Sequence, residues 1–271
     1  MSEPPQRRRQ FRRMVLGGVL AIHVFIYWSL AFALRSSDDV HRVIAVGVML
    51  GQCSLAVILA TMFVSGKLAR IAIACSAALA CWYGISTVFY WGLGEPGAAW
   101  WAIAISVQTI VCLVGMEVIE RTRSHCSTSS AVALQSGSTP FQFPIRSLIV
   151  LTTMAAIGFA VVDFGQRRGW WSTDSLNVQE GIMMVVVGFI VGVTALLCVI
   201  ALASPKRHVV AARLVAVTGS VLLLAILLQW GAVQAGMDRS ADPTLAVVLL
   251  GTQAGCIVIT LSIVNRVSGA R

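Results

Sequence analysis

Charge is what this chain has least of. Only 11% of its 271 residues are charged, against about 25% in an ordinary soluble domain. A water-soluble fold of this size could not cover its surface with so few. Proline is scarce and oddly placed: the seven prolines (Pro4, Pro5, Pro96, Pro140, Pro144, Pro205, Pro243) all avoid the long apolar runs. Proline removes a backbone donor that lipid cannot replace, so its avoidance fits uninterrupted membrane helices. The seven cysteines (Cys53, Cys75, Cys81, Cys112, Cys126, Cys198, Cys256) include no CxxC pair, and none lies in a segment expected to face an oxidising compartment. No disulfide framework is expected. HExxH, GxSxG, phosphate-loop and dinucleotide-binding patterns are missing. The sequence thus offers no catalytic, cofactor-binding or metal site, and it leans away from an enzyme.

What is present is apolar sequence, 58% of all residues. About 30 Å of hydrocarbon needs roughly 20 residues of helix. Eight stretches qualify: Met14–Leu34, Val43–Val64, Ala69–Trp91, Ala98–Val118, Ser147–Phe164, Gly181–Ala203, Val209–Trp230 and Thr244–Val264. They predict an all-α, polytopic transmembrane bundle of eight helices. Residues 1–13 form a basic tail and 14–118 a first four-helix half. Residues 119–146 form a Ser/Thr-rich linker, 147–264 a second four-helix half, and 265–271 a short tail.

The basic residues orient the bundle. Arg7, Arg8, Arg9, Arg12 and Arg13 precede the first span, and with an inward N-terminus fifteen basic residues face the cytoplasm and five (Arg35, Arg42, Arg167, Arg168, Arg239) face outward. That excess predicts both termini in the cytoplasm of a cell (inner) membrane. Trp28, Trp91, Trp100, Trp101, Trp170, Trp171 and Trp230 then map to the outer side, as an interfacial belt or an aromatic-lined outer site, and Trp82 sits mid-span. Arg8-Arg9-Gln10-Phe11 resembles a twin-arginine export signal, and Ala31-Phe32-Ala33 has the shape of a cleavage site. The long first run and the many later spans favour a retained helix. The net charge of +9 is spread over short gaps without interleaved aromatics, so nucleic acid is excluded and the lipid bilayer is the expected partner.

An internal repeat is suggested. Ser65, Lys67, Trp91 and Gly92 align with Ser204, Lys206, Trp230 and Gly231, and Ala56, Ala72 and Ala77 match Ala195, Ala211 and Ala216. An even number of helices per half makes such a 4+4 duplication parallel. Three small-xxx-small pairs (Gly47/Gly51, Gly188/Gly192, Gly251/Gly255) predict close helix packing.

Ionisable groups deep in lipid default to functional candidates, and here they are nearly absent. Asp163 near Arg167, and Glu117 and Glu120 beside Arg121 and Arg123, read as ion pairs at span ends. The mid-depth polar residues are neutral: His23, Gln52, Gln108 and Gln253, with Ser54, Ser76, Ser106, Thr109, Thr194 and Thr218 able to join them. This layer is either interhelical packing or a midplane site for an unspecified polar small molecule, His23 being its titratable member. His23 lacks a second histidine at matching depth, so a bis-histidine haem is excluded. The expected function is non-enzymatic: a permease-like carrier, or an accessory or sensory module working with a membrane-protein partner or as a homo-oligomer. The alternative is an enzyme acting on lipid at the inner face through Glu117, Glu120 or His125.

Overall fold

A computed structural model describes residues 39–89, 96–129, 178–204, 207–234 and 243–268, together with Gly18, Ile22, His23, Phe25, Ile26, Ser29 and Arg167. Among these residues all regular structure is helical. The helices are α1 (Asp39–Phe63), α2 (Lys67–Phe89), α3 (Pro96–Ser129), α4 (Val178–Leu202), α5 (Arg207–Gln234) and α6 (Pro243–Ser268). All six are long and apolar enough to cross a membrane. They coincide with six of the eight predicted spans. The predicted Met14–Leu34 span, six of its residues apart, and the Ser147–Phe164 span lie outside the described residues, as does Asp163.

Local chemistry sets the helix ends. Pro96 and Pro243 open α3 and α6, where proline's fixed φ suits a helix start and its missing N–H is no loss. Asp39 opens α1 beside Arg42, 3.6 Å away, an acid where the helix dipole favours one. At its far end α3 runs on to Ser129, past the predicted boundary at Val118. Charge ends a hydrophobic run but not a helix, and an Arg121–Glu117 pair at 2.9 Å spans the boundary at i,i+4 spacing.

Four helices make the centre. α1 packs on α3, α4 and α6, and α4 packs on α3 and α6; α2 lies outside against α1 and α3, and α5 outside against α4 and α6. The contacts run in register along α3 and α4: Gly188 abuts Ala104, Gly192 abuts Gln108 and Val111, and Leu196 abuts Gly115. These two helices are therefore parallel. The same holds for α1 and α6, with Gly47 against Leu249 and Thr252, and Gly51 against Gln253 and Cys256. α2 runs the other way, its Trp82 Nε1 donating to Ala98 O at 2.6 Å while Arg70 meets Glu120. α1, α3, α4 and α6 thus share a leading end, where they begin, and a trailing end, where they finish.

Those contacts come in matched pairs. Exchanging α1 with α4, α2 with α5 and α3 with α6 turns every helix–helix contact named above into another one. The correspondence reaches individual residues. Gly47-Val48-Met49-Leu50-Gly51 on α1 matches Gly188-Phe189-Ile190-Val191-Gly192 on α4. The first glycine of each meets Leu249 on α6 or Ala104 on α3; the second meets Cys256 or Val111. Each pair of partners occupies equivalent positions relative to Gln253 and Gln108.

Glycine is required at these crossings. A Cβ at Gly47 would stand 2.7 Å from Leu249 O, one at Gly192 would stand 2.8 Å from Val111 Cβ, and one at Gly188 would overlap Ala104 O. Gly251 and Gly255 differ: a Cβ on either meets nothing within 4 Å, so that third pair mediates no contact among the described residues. Gly188→Ala and Gly47→Ala are expected to lower stability by about 1–3 kcal/mol, the usual effect of overpacking. Gly251→Ala is expected to leave it unchanged or raised, because alanine is the better helix former. Thermal melts of the purified protein in detergent check both.

Candidate functional site

The middle of α3 and of α6 each presents one glutamine to the centre. Gln108 and Gln253 are 1% and 0% exposed. Gln108 Nε2 donates to Leu50 O at 2.8 Å and to Ser54 Oγ at 2.7 Å, both on α1. Gln253 Nε2 donates to Val191 O on α4 at 2.8 Å. Leu50 and Val191 are equivalent residues, each immediately before the second glycine of its pair. Each glutamine therefore ties the third helix of one half to the first helix of that half. Its own backbone meanwhile lies against the glycine pair of the other half.

The amide oxygens are left over. Among the described residues, Gln108 Oε1 and Gln253 Oε1 are buried and accept no hydrogen bond, and Thr194 Oγ1 on α4 is likewise buried without a partner. Carbonyl oxygens only accept, so the Leu50 and Val191 carbonyls oblige each amide to present its nitrogen. The unpaired atom must then be the oxygen. Leaving such an acceptor unsatisfied costs about 1–3 kcal/mol, and this core does it twice at corresponding positions.

The other two residues of the predicted layer form a separate group. His23 Nε2 lies 3.0 Å from Thr260 Oγ1 on α6, and Gln52 Nε2 donates to His23 O at 3.1 Å. His23 Nδ1 has no partner. Among the described residues no hydrogen bond joins Gln108 to Gln253, or either of them to His23. The four residues consequently fall into three separate hydrogen-bonded groups.

Of the hydroxyl residues expected to join the layer, Ser54 does so directly. Thr109 donates to Ile105 O at 2.7 Å and lies 3.9 Å from Cys53 Sγ. Thr218 bonds its own helix at Leu214 O on an exposed face, and Ser76 and Ser106 are also exposed. Thr260 escaped the sequence reading, although a membrane-depth histidine demands a partner and a hydroxyl on the last span was available. Thiols enter too: Cys112 Sγ lies 3.9 Å from both Ser54 Oγ and Gly192 O, at the junction of α1, α3 and α4. No group of three or more His, Cys, Asp or Glu residues suited to a metal occurs among the described residues.

The carboxylates of the lipid-enzyme alternative stand in ion pairs. Glu117 bonds Arg121, and Glu120 lies 3.3 Å from Arg70, which also donates to Val64 O at the end of α1. In the second half Arg213 donates to Ile200 O at 3.1 Å. An arginine thus answers the last carbonyls of the first helix in each half, where the helix dipole favours a cation. The aromatic belt is divided: Trp100 and Trp101 pack half-buried against the core, and Trp230 is exposed.

Gln253→Leu exchanges one hydrogen bond, worth about 0.6 kcal/mol between membrane helices, for removal of one unpaired buried oxygen. It is expected to raise stability by about 1 kcal/mol; Gln108→Leu, which forfeits two bonds, is expected to gain less. Melting temperatures in detergent report the order, and a clear fall for both would show that the oxygens already have partners. No family model, curated protein or solved structure matches this chain.

Proposed function

We propose that the chain is a small permease-like carrier built from two parallel halves, with Gln108 and Gln253 as its polar centre. The carrying observation is the matched set of contacts that exchanges α1–α2–α3 with α4–α5–α6. Parallel halves related by an axis along the membrane normal are one of the recurrent carrier architectures, with cargo recognised near mid-depth where the halves meet. The glycine crossings lie at that interface and the two glutamines flank it. Many carriers recognise cargo at broken helices; here the central helices are continuous, so recognition falls to side chains.

Eight crossings are the completed form of this design. α3 finishes at the trailing end and α4 starts at the leading end, an order that one further crossing between them would account for. The predicted span Ser147–Phe164 has the length for that crossing, and Met14–Leu34 would be its counterpart before α1. Lys67, Arg70, Arg121, Arg213 and Arg266 gather at the trailing end, which supports a cytoplasmic position for that end and for both termini.

A carrier must alternate between two arrangements of its halves. Spin labels at Lys67 and His208, exposed residues in the first turns of α2 and α5, report the trailing end. Labels at Tyr83 and Ile226, also exposed, report the opposite end of the same helices. Pulsed dipolar spectroscopy in lipid nanodiscs is expected to give two distance populations at each end, one end lengthening as the other shortens. A single, invariant distance at both ends would leave a static scaffold and end the carrier reading.

A further inference from the structure

We infer that the cargo is an uncharged solute carrying at least two O–H or N–H donors, received by the Gln108 and Gln253 amide oxygens. This inference rests on the carrier reading and gives it a chemical class. The first ground is what the core leaves unfilled. Among the described residues its buried unpartnered polar atoms are two acceptor-only oxygens, the Thr194 hydroxyl and His23 Nδ1, with Arg42 Nε apart from them near the start of α1. The donors of Gln108 are both engaged, and the amide nitrogen of Gln253 is held at Val191 O. Groups that can only accept bind groups that donate.

The second ground is the absence of formal charge around them. Among the described residues, these charged side chains lie away from the glutamines: Asp39, Arg42 and Glu180 at the leading end, and Lys67, Arg70, Glu117, Glu120, Arg121, Arg213 and Arg266 toward the trailing end. An anion at the glutamines would meet carbonyl oxygens and no cation. A metal ion or ammonium would meet no carboxylate. Either would surrender its hydration without a counter-charge, whereas a neutral donor surrenders only hydrogen bonds that the two oxygens restore.

The third ground is repetition. The two oxygens occupy equivalent positions about the α1–α4 contact, on side chains fixed by equivalent carbonyls. A lone misfit of packing has no reason to recur in both halves.

The test uses the full-length purified protein with three neutral probes, glycerol, erythritol and urea, and two ionic ones, acetate and tetramethylammonium. Binding of each radiolabelled probe is measured by scintillation proximity in detergent, and flux by stopped-flow light scattering in proteoliposomes. Saturable binding of at least one neutral probe and of neither ion is expected. Q108L and Q253L should each weaken it about tenfold, the loss of one good hydrogen bond, and together abolish it. Should Q108L not yield a monodisperse protein, Q108M, of similar length, replaces it. No binding by any neutral probe, preference for an ion, or undiminished binding in the double variant would overturn the inference. Neutral-probe binding that depends on both glutamines but produces no flux would uphold it while removing the carrier reading.

Discussion

Backbone touching backbone across two glycine crossings is the contact on which the rest of this architecture depends. Water drives soluble helices together by expelling apolar surface, but lipid offers no such gain, because its tails are as apolar as leucine. Cohesion must come from dispersion and from interhelical hydrogen bonds, and both need short distances. Gly188 against Ala104 and Gly47 against Leu249 supply them. Once α3 lies on α4 and α6 on α1, Gln108 is within reach of α1 and Gln253 of α4, the first helix of each glutamine's own half.

The glutamines then set a balance between cohesion and polarity. Each nitrogen finds a carbonyl, yet each oxygen stays buried and unpaired. A core optimised only for stability would have placed leucine at Gln108 and Gln253, as it placed Leu250, Ile257, Ile105 and Met116 nearby. Strain of this kind is the usual sign that stability has been traded for a task. The thiols near Gln108 lack counterparts near Gln253, since Cys53 and Cys112 correspond to Thr194 and Ile257. The polar frame is shared by the two halves while its surroundings have diverged.

Much of this could be read from the residues. Apart from the far end of α3, which runs on to Ser129, the ends of the six described helices fall within a few positions of the predicted spans, because charge and proline mark where apolar runs stop. The packing roles of Gly47/Gly51 and Gly188/Gly192 were legible in their spacing, but Gly251/Gly255 has the same spacing and meets no neighbour closely among the described residues. Spacing records an opportunity for close approach; only the fold decides which helix takes it. The suggested repeat, anchored at Ser65/Ser204, set Ala56 against Ala195 inside the helices. The glycine pairs place Ser54 opposite Ala195 instead. Two residues of slippage hide a helical repeat when most positions are interchangeable aliphatics. The separation of His23 and Gln52 from the other two glutamines was not legible, since depth along a helix says nothing of which face a side chain occupies.

The pairing of α1 with α6 bears on how the protein is made. Gly47 and Gly51 are synthesised early, yet the surface they fit is carried by Leu249 to Cys256, close to the C-terminus. Until α6 leaves the ribosome, the glycine seam of α1 lacks the surface it fits. The α3–α4 joint can form before then, but the α1–α6 joint cannot. A nascent chain stalled between α4 and α6 would thus hold a finished α3–α4 joint beside an open α1 seam, a state exposed to quality-control proteases until α6 arrives.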